Sequence, residues 1–267
     1  MKRREFLRTS LAASALAGLG PAGCRTPSAG AGGGAAQEYY ELRAYRFPEG
    51  GRHELLDAYL EKAAIPGLNR LGLKPIGVFT ELEPKGPTAV YVLIPYPDVH
   101  SFATAASRLN ADPDYQQAGA AYLQTPKSSP AFERIDSWLM LAFAGQPKIQ
   151  LAAYSVEKKP RIFELRSYQS YSELKALKKV EMFNSGEIDV MHEVGLAPVF
   201  YGQVLVGKDL PHLTYMLSAE SRQAHQQHFD AFGKHPTWNK LKNDPQYADT
   251  VSKVSNWFLA PAPYSQI

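Results

Sequence analysis

Two short stretches bring together the residue types most able to do chemistry. Tyr40-Glu41-Leu42-Arg43-Ala44-Tyr45 and Phe163-Glu164-Leu165-Arg166-Ser167-Tyr168 share one pattern, 123 residues apart. Residues two apart in a strand share a face. Glu41, Arg43 and Tyr45 therefore lie opposite Tyr40, Leu42 and Ala44, and Glu164, Arg166 and Tyr168 lie opposite Phe163, Leu165 and Ser167. An arginine beside a glutamate and a tyrosine can hold an anion or a carbonyl group in a polar pocket. The same trio can instead be an Arg–Glu ladder locking two sheets together, and ionisable clusters are often structural pairs of that kind. The alternation predicts that the apolar face meets helices and that the Glu-Arg-Tyr face looks into the space between two sheets, or toward solvent at its mouth. The ligand-pocket candidates are Arg43, Tyr45, Glu164, Arg166 and Tyr168, with Tyr215 nearby. A small-molecule ligand is the expectation; the residue types name neither it nor any cofactor.

Other polar clusters have weaker patterns. His225 and His228 are three apart on an expected helix, a spacing that can chelate a metal, but no third ligand sits at a fixed distance. No metal site is expected. A slip-by-one comparison of the two halves sets Ser101 and Thr104 against them. Glu187, Asp189, His192 and Glu193 cluster before Gly195, where a carboxylate could orient an imidazole; an exposed capping cluster is the plainer reading. His212 begins an expected strand and could face inward. The chain lacks CxxC, HExxH and GxSxG motifs, and its glycine run at 32–34 precedes the first expected strand, so no phosphate-cradling loop is visible.

The elements that must position these residues come in two copies. Gly72-Leu73-Lys74-Pro75-Ile76 matches Gly195-Leu196-Ala197-Pro198-Val199 at the same 123-residue spacing, and Tyr91-Val92-Leu93 matches Tyr215-Met216-Leu217 one residue further on. Leu109 to Tyr115 then matches Leu241 to Tyr247. Periodicity predicts strand, helix, strand, strand, helix, strand in each copy. In the first copy these are strand 39–46, helix 52–64, strands 73–81 and 88–94, helices 98–108 and 113–123, and strand 135–143. In the second they are strand 162–168, helix 171–194, strands 197–206 and 212–218, helices 219–232 and 244–252, and strand 254–260. This is the ferredoxin-like β-α-β-β-α-β arrangement, an α+β fold whose two copies should pack sheet to sheet. The expected units are 39–145 and 161–267, joined by a linker at 146–160.

The Tyr-Glu-Leu-Arg-x-Tyr opening, the Gly-Leu-x-Pro before the second strand, His235-Pro236-x-Trp238 and Asn243-Asp244-Pro245-x-Tyr247 together resemble the NIPSNAP family, over about residues 39–267. The resemblance implies a dimeric α/β-barrel-type fold, a group that includes small monooxygenases and haem proteins. It implies no particular reaction. The expected function is a small-molecule-binding or interaction module of undetermined activity. The alternative is a cofactor-independent or haem-linked monooxygenase-like oxidoreductase. A homo-oligomer could form through sheet edges left unpaired.

Ahead of the first copy, Arg3-Arg4-Glu5-Phe6-Leu7-Arg8 and the apolar stretch Leu11 to Leu19 resemble a twin-arginine export signal. Cys24, the single cysteine, follows a small residue as in a lipid-attachment box, although Pro21 fits that box poorly. Residues 1–30 are expected to be an export leader and 31–38 a flexible tether, with a periplasmic or lipid-anchored extracytoplasmic address. The leader holds five basic residues and one acidic residue, so without it the formal charge falls from +3 to −1. Nucleic-acid binding thereby loses its electrostatic argument.

Overall fold

A computed structural model describes residues 36–84 and 86–267. The leader, including Arg3, Arg4 and Cys24, and most of the tether lie outside the described residues. The first copy runs β1 (Tyr39–Phe47), α1 (Glu54–Tyr59), α2 (Ile65–Arg70), β2 (Gly77–Glu81), β3 (Thr88–Tyr96), α3 (Val99–Asn110), α4 (Pro113–Leu123) and β4 (Arg134–Ala142). A short helix α5 (Ala153–Val156) follows in the linker. The second copy is β5 (Ile162–Gln169), α6 (Glu173–Met182), α7 (Ile188–Glu193), β6 (Ala197–Val206), β7 (His212–Ala219), α8 (Arg222–Lys234), α9 (Pro236–Lys242) and β8 (Lys253–Pro261).

The eight strands form one closed antiparallel barrel in the order β1-β3-β2-β8-β5-β7-β6-β4. Each copy supplies four neighbouring strands, and β2–β8 and β4–β6 hydrogen bonds join the halves. Closure leaves no free edge on these strands, so the edges expected to pair with a second chain are already used within the chain.

Helices cover the outside. Asp98, Ser172 and Ser221 cap α3, α6 and α8 by accepting the backbone N–H three residues on. In both copies the first helix pair is bridged by a π-helical turn, Leu60–Ala64 and Phe183–Glu187, again 123 residues apart. The expected helix 52–64 thus continues to Arg70, because Pro66 falls in the first turn of α2, where a missing N–H is tolerated. The expected helix 244–252 is instead α9 followed by a single turn, Pro245–Tyr247, each opening on a proline behind its own cap, His235 and Asp244.

Two expectations are overturned. The opening strands face the other way: Tyr40, Leu42, Ala44, Phe163 and Leu165 lie in the apolar barrel interior with Phe79, Leu93, Met140 and Leu259, while Tyr45 packs beneath the helices of its own copy. The barrel interior takes the more apolar face of each opening strand. The one-residue slip between Tyr91-Val92-Leu93 and Tyr215-Met216-Leu217 is absent as well. Arg43 pairs with Val92 and Arg166 with Tyr215, so the 123-residue spacing holds through this strand and Tyr215 corresponds to Val92. A slip of one would have reversed every side chain; Tyr91 faces the interior and Tyr215 the helices. With this register, His225 and His228 correspond to Phe102 and Ala105 rather than Ser101 and Thr104.

Candidate functional site

In the first copy, β1 holds Arg43 against the underside of the helices. Its Nε and Nη2 donate to the two carboxylate oxygens of Glu41 at 2.7 and 2.8 Å. Glu41 also accepts from the hydroxyls of Tyr96 and Ser137, both at 2.9 Å. Burial by itself would raise the Glu41 pKa; Arg43, Ser137 and Tyr96 outweigh it and hold the carboxyl below its ordinary value. The ion pair fixes the guanidinium by one edge, and among the described residues Nη1 has no hydrogen-bond partner. The Arg43 side chain is 31% exposed although its surroundings are dense, because it borders a cavity.

That cavity, about 150 Å³, lies between the first copy's sheet and its helices. Arg43, Tyr45 and Tyr96 form its polar end, with Tyr59 and Tyr115 joined by a hydroxyl–hydroxyl contact of 2.8 Å. Apart from Asn110 the remaining wall is aliphatic, including Leu60, Ile65, Ile76 and Ile94. Its volume is comparable to cavities that take up one benzene molecule.

The second copy places the same motif under its own helices, but there the space is filled. Arg166 Nη1 donates to Glu164 at 2.6 Å, and its Nε and Nη2 donate to the Tyr168 hydroxyl at 3.3 and 3.1 Å. Tyr168 and Tyr215 share a hydroxyl contact of 2.8 Å, and the Phe229 ring lies 5.1 Å from the guanidinium carbon. Asn256 donates to Glu164 at 2.8 Å. His225 Nε2 approaches the other Glu164 oxygen to 3.0 Å, out of line for a hydrogen bond. Burial pushes Glu164 up, but His225, Arg166 and Asn256 more than offset this and lower its pKa. Where this copy has Phe183, Glu187, Tyr215, His228 and Phe229, the first has Leu60, Ala64, Val92, Ala105 and Ala106. The cavity over Arg43 is the space those larger side chains would occupy.

The six pocket candidates therefore form two separate groups on opposite sides of the barrel. Arg43 and Tyr45 border a hollow, while Glu164, Arg166, Tyr168 and Tyr215 form a closed network. Sequence reasoning missed Tyr59, Tyr96, Tyr115 and the small residues that open the space; the signal for the small residues was the large-to-small change from their 123-residue equivalents.

The remaining candidates disperse. His225 sits between the rings of Phe229 and Phe258, and His228 lies against Gly195, so the pair does not converge. Glu187 is buried and ion-paired to Lys179 at 2.7 Å, whereas Asp189, His192 and Glu193 are exposed, Glu193 reaching His235 at 3.1 Å. The expected exposed cluster is thus split, because the π-helical turn directs Glu187 inward. His212 is buried on the interior face of β7, with Nε2 3.0 Å from the Lys208 carbonyl and Nδ1 3.1 Å from Ser167 Oγ; burial lowers its pKa. Among the described residues no group of three or more His, Cys, Asp or Glu is placed to hold a metal, and no helix is long and apolar enough to cross a membrane.

Comparison with solved structures supports the architecture. A candidate monooxygenase from Fusobacterium nucleatum superposes with a TM-score of 0.53 at 10% identity, covering 85% of this chain and 93% of its own. A candidate monooxygenase from Lactobacillus acidophilus gives 0.53 at 8%, covering 84% and 94%. A NIPSNAP family protein from Agrobacterium tumefaciens is 17% identical over 45% of this chain and 96% of its own, with a TM-score of 0.37. Among curated proteins none matches. The NIPSNAP family pattern matches twice, at residues 40–142 and 163–266, which coincide with the two halves of the barrel. The chain is a tandem, barrel-closing pair of such units and belongs to the NIPSNAP family.

Proposed function

We propose that the protein binds a small aliphatic molecule headed by a carboxylate or carbonyl group, in the cavity of the first repeat, with Arg43 as its anchor. One observation carries this reading: a guanidinium held by Glu41 through Nε and Nη2 borders an otherwise largely apolar hollow. A few convergent polar groups in an apolar cavity are the usual composition of a ligand site. The second repeat serves as scaffold, its equivalent space closed by Tyr215 and Phe229. The address expected from the leader would make this an extracytoplasmic binding protein. The oxidoreductase alternative has only the shared fold behind it, and at 10% identity and below that likeness carries no reaction.

The test is calorimetric titration with hexanoate and hexanamide. A hydrogen bond to a charged group contributes about 1.5–3 kcal/mol, so Arg43→Met should weaken binding of the preferred head group by tenfold or more. Absence of binding by both compounds, or equal affinity in the variant, refutes the reading.

A further inference from the structure

The barrel has one closed end and one open end. At the closed end the linker and C-terminal tail seal the interior: Ile149 and Leu151 pack on it, Ile267 is fully buried, and Gln266 bonds Ile76 through backbone and side chain. At the other end a cavity of about 160 Å³ enters the barrel mouth. Its floor is Leu42, Tyr91 and Leu165, all buried in the interior core.

Trp138 and Trp257 form two of its walls. They are equivalent residues: Arg43 pairs with Ser137 and Arg166 with Asn256, and each tryptophan is the next residue along. They stand on β4 and β8, four strands apart and therefore opposite each other in an eight-stranded barrel. The symmetry stops at the polar groups. The first repeat contributes Arg46, whose Nε donates to Asp136 at 3.1 Å and whose guanidinium also lies beside the Tyr91 hydroxyl. Lys208 also contacts Asp136, leaving that carboxylate bracketed by two cations. The second repeat contributes Ser167, Thr214, Ser255 and His212. The Lys208 carbonyl can only accept, so His212 Nε2 carries the proton and Nδ1 accepts from Ser167. Of the charged lining residues, Arg46 and Lys253 are positive and Asp209 is negative.

We propose that this mouth is a second binding site, for a single-ring aromatic carboxylate, with the ring against Trp138 and Trp257 and the carboxylate on Arg46. Indole faces favour a planar aromatic partner, and the apolar floor gives a ring no unpaired polar group to meet. A guanidinium in the cavity wall has a planar fork of N–H groups that matches a carboxylate geometrically. The volume is that of one ring. This site is independent of the Arg43 cavity, which lies outside the barrel wall and is lined by no tryptophan.

Benzoate is the probe, with benzamide as its uncharged counterpart. The chain has three tryptophans, two of them at the mouth; the third, Trp238, packs on Phe232 in the second repeat. Tryptophan fluorescence therefore reports on the mouth, and calorimetry gives the affinity. We expect a saturable fluorescence change with benzoate, at least tenfold weaker binding of benzamide, and at least tenfold loss in Arg46→Met and in Trp257→Leu. The latter residue is already 36% exposed and should tolerate replacement. The benzoate-induced fluorescence change should persist when the first cavity is saturated with hexanoate, which separates this site from the first. No saturable change up to about 10 mM benzoate, or affinity unaltered in both mouth variants that retain the parent circular dichroism, overturns the proposal.

Discussion

The buried pair Lys179–Glu187 gives the sharpest test of the idea that the second repeat's ionisable groups are structural. Its side chains are 5% and 2% exposed, and the ammonium also faces the Phe183 and Trp238 rings at 4.7 and 5.4 Å. Burial raises the Glu187 pKa, and Lys179 opposes that only in part. Lys179→Met keeps the stem and removes the charge, so the Glu187 pKa rises further. A carboxyl with a raised native pKa keeps its proton where the unfolded chain has lost it. Its stability contribution is complete below the unfolded value of 4.5 and is lost as pH rises toward the native value. Removing one partner of a buried ion pair costs about 3–5 kcal/mol, and keeping the proton on Glu187 makes the cost larger at pH 7 than at pH 5. Urea unfolding of parent and variant at both pH values measures the difference. The deficit of the variant should be larger at pH 7 than at pH 5, and Glu187→Gln in the variant should remove that pH dependence. A deficit equal at both pH values, or smaller at pH 7, would refute the reasoning.

Three further outcomes follow from the same geometry. Ala106→Phe places the second repeat's residue over Arg43 at an exposed helix position; it should abolish hexanoate binding in calorimetry while the melting temperature holds or rises. Gly207→Ala would put a methyl group 2.3 Å from Trp138 at a φ of +154°, so chemical denaturation should show a loss of about 1–3 kcal/mol, with a changed tryptophan emission spectrum. Ile267→Ala opens the sealed end of the barrel and should cost about 2–5 kcal/mol in the same assay.

Much of the architecture was legible because duplication imposes a ruler on the sequence. The Tyr-Glu-Leu-Arg-x-Tyr and Gly-Leu-x-Pro pairs sit at one spacing, and alternation and helical periodicity between them predict most of the elements. The facing of the strands was less legible. Both faces of β1 must be buried, and sequence does not state that Glu41 would find Arg43, Tyr96 and Ser137 under the helices while Tyr40 and Leu42 filled the barrel. Matching Tyr91 to Tyr215 by residue type hid the true equivalence to Val92, because identity of one side chain outweighed the continuity of the register. The cavity was hidden for a different reason: it consists of side chains that are absent. Ala64, Ala105 and Ala106 look unremarkable until Glu187, His228 and Phe229 are set beside them. The mouth was missed because Trp138 and Trp257 become a pair only when the chain closes on itself.

In the proposed function, one of two equivalent spaces is a ligand site and the other a filled scaffold. A crystal structure determined with hexanoate or hexanamide, whichever titrates more tightly, tests it most directly. One molecule should be bound in the first repeat, its head group on Arg43 and its chain along Leu60, Ile76 and Ile94, with no counterpart beside Arg166. An empty first cavity, or a molecule seated against Arg166 in the second repeat, would contradict it.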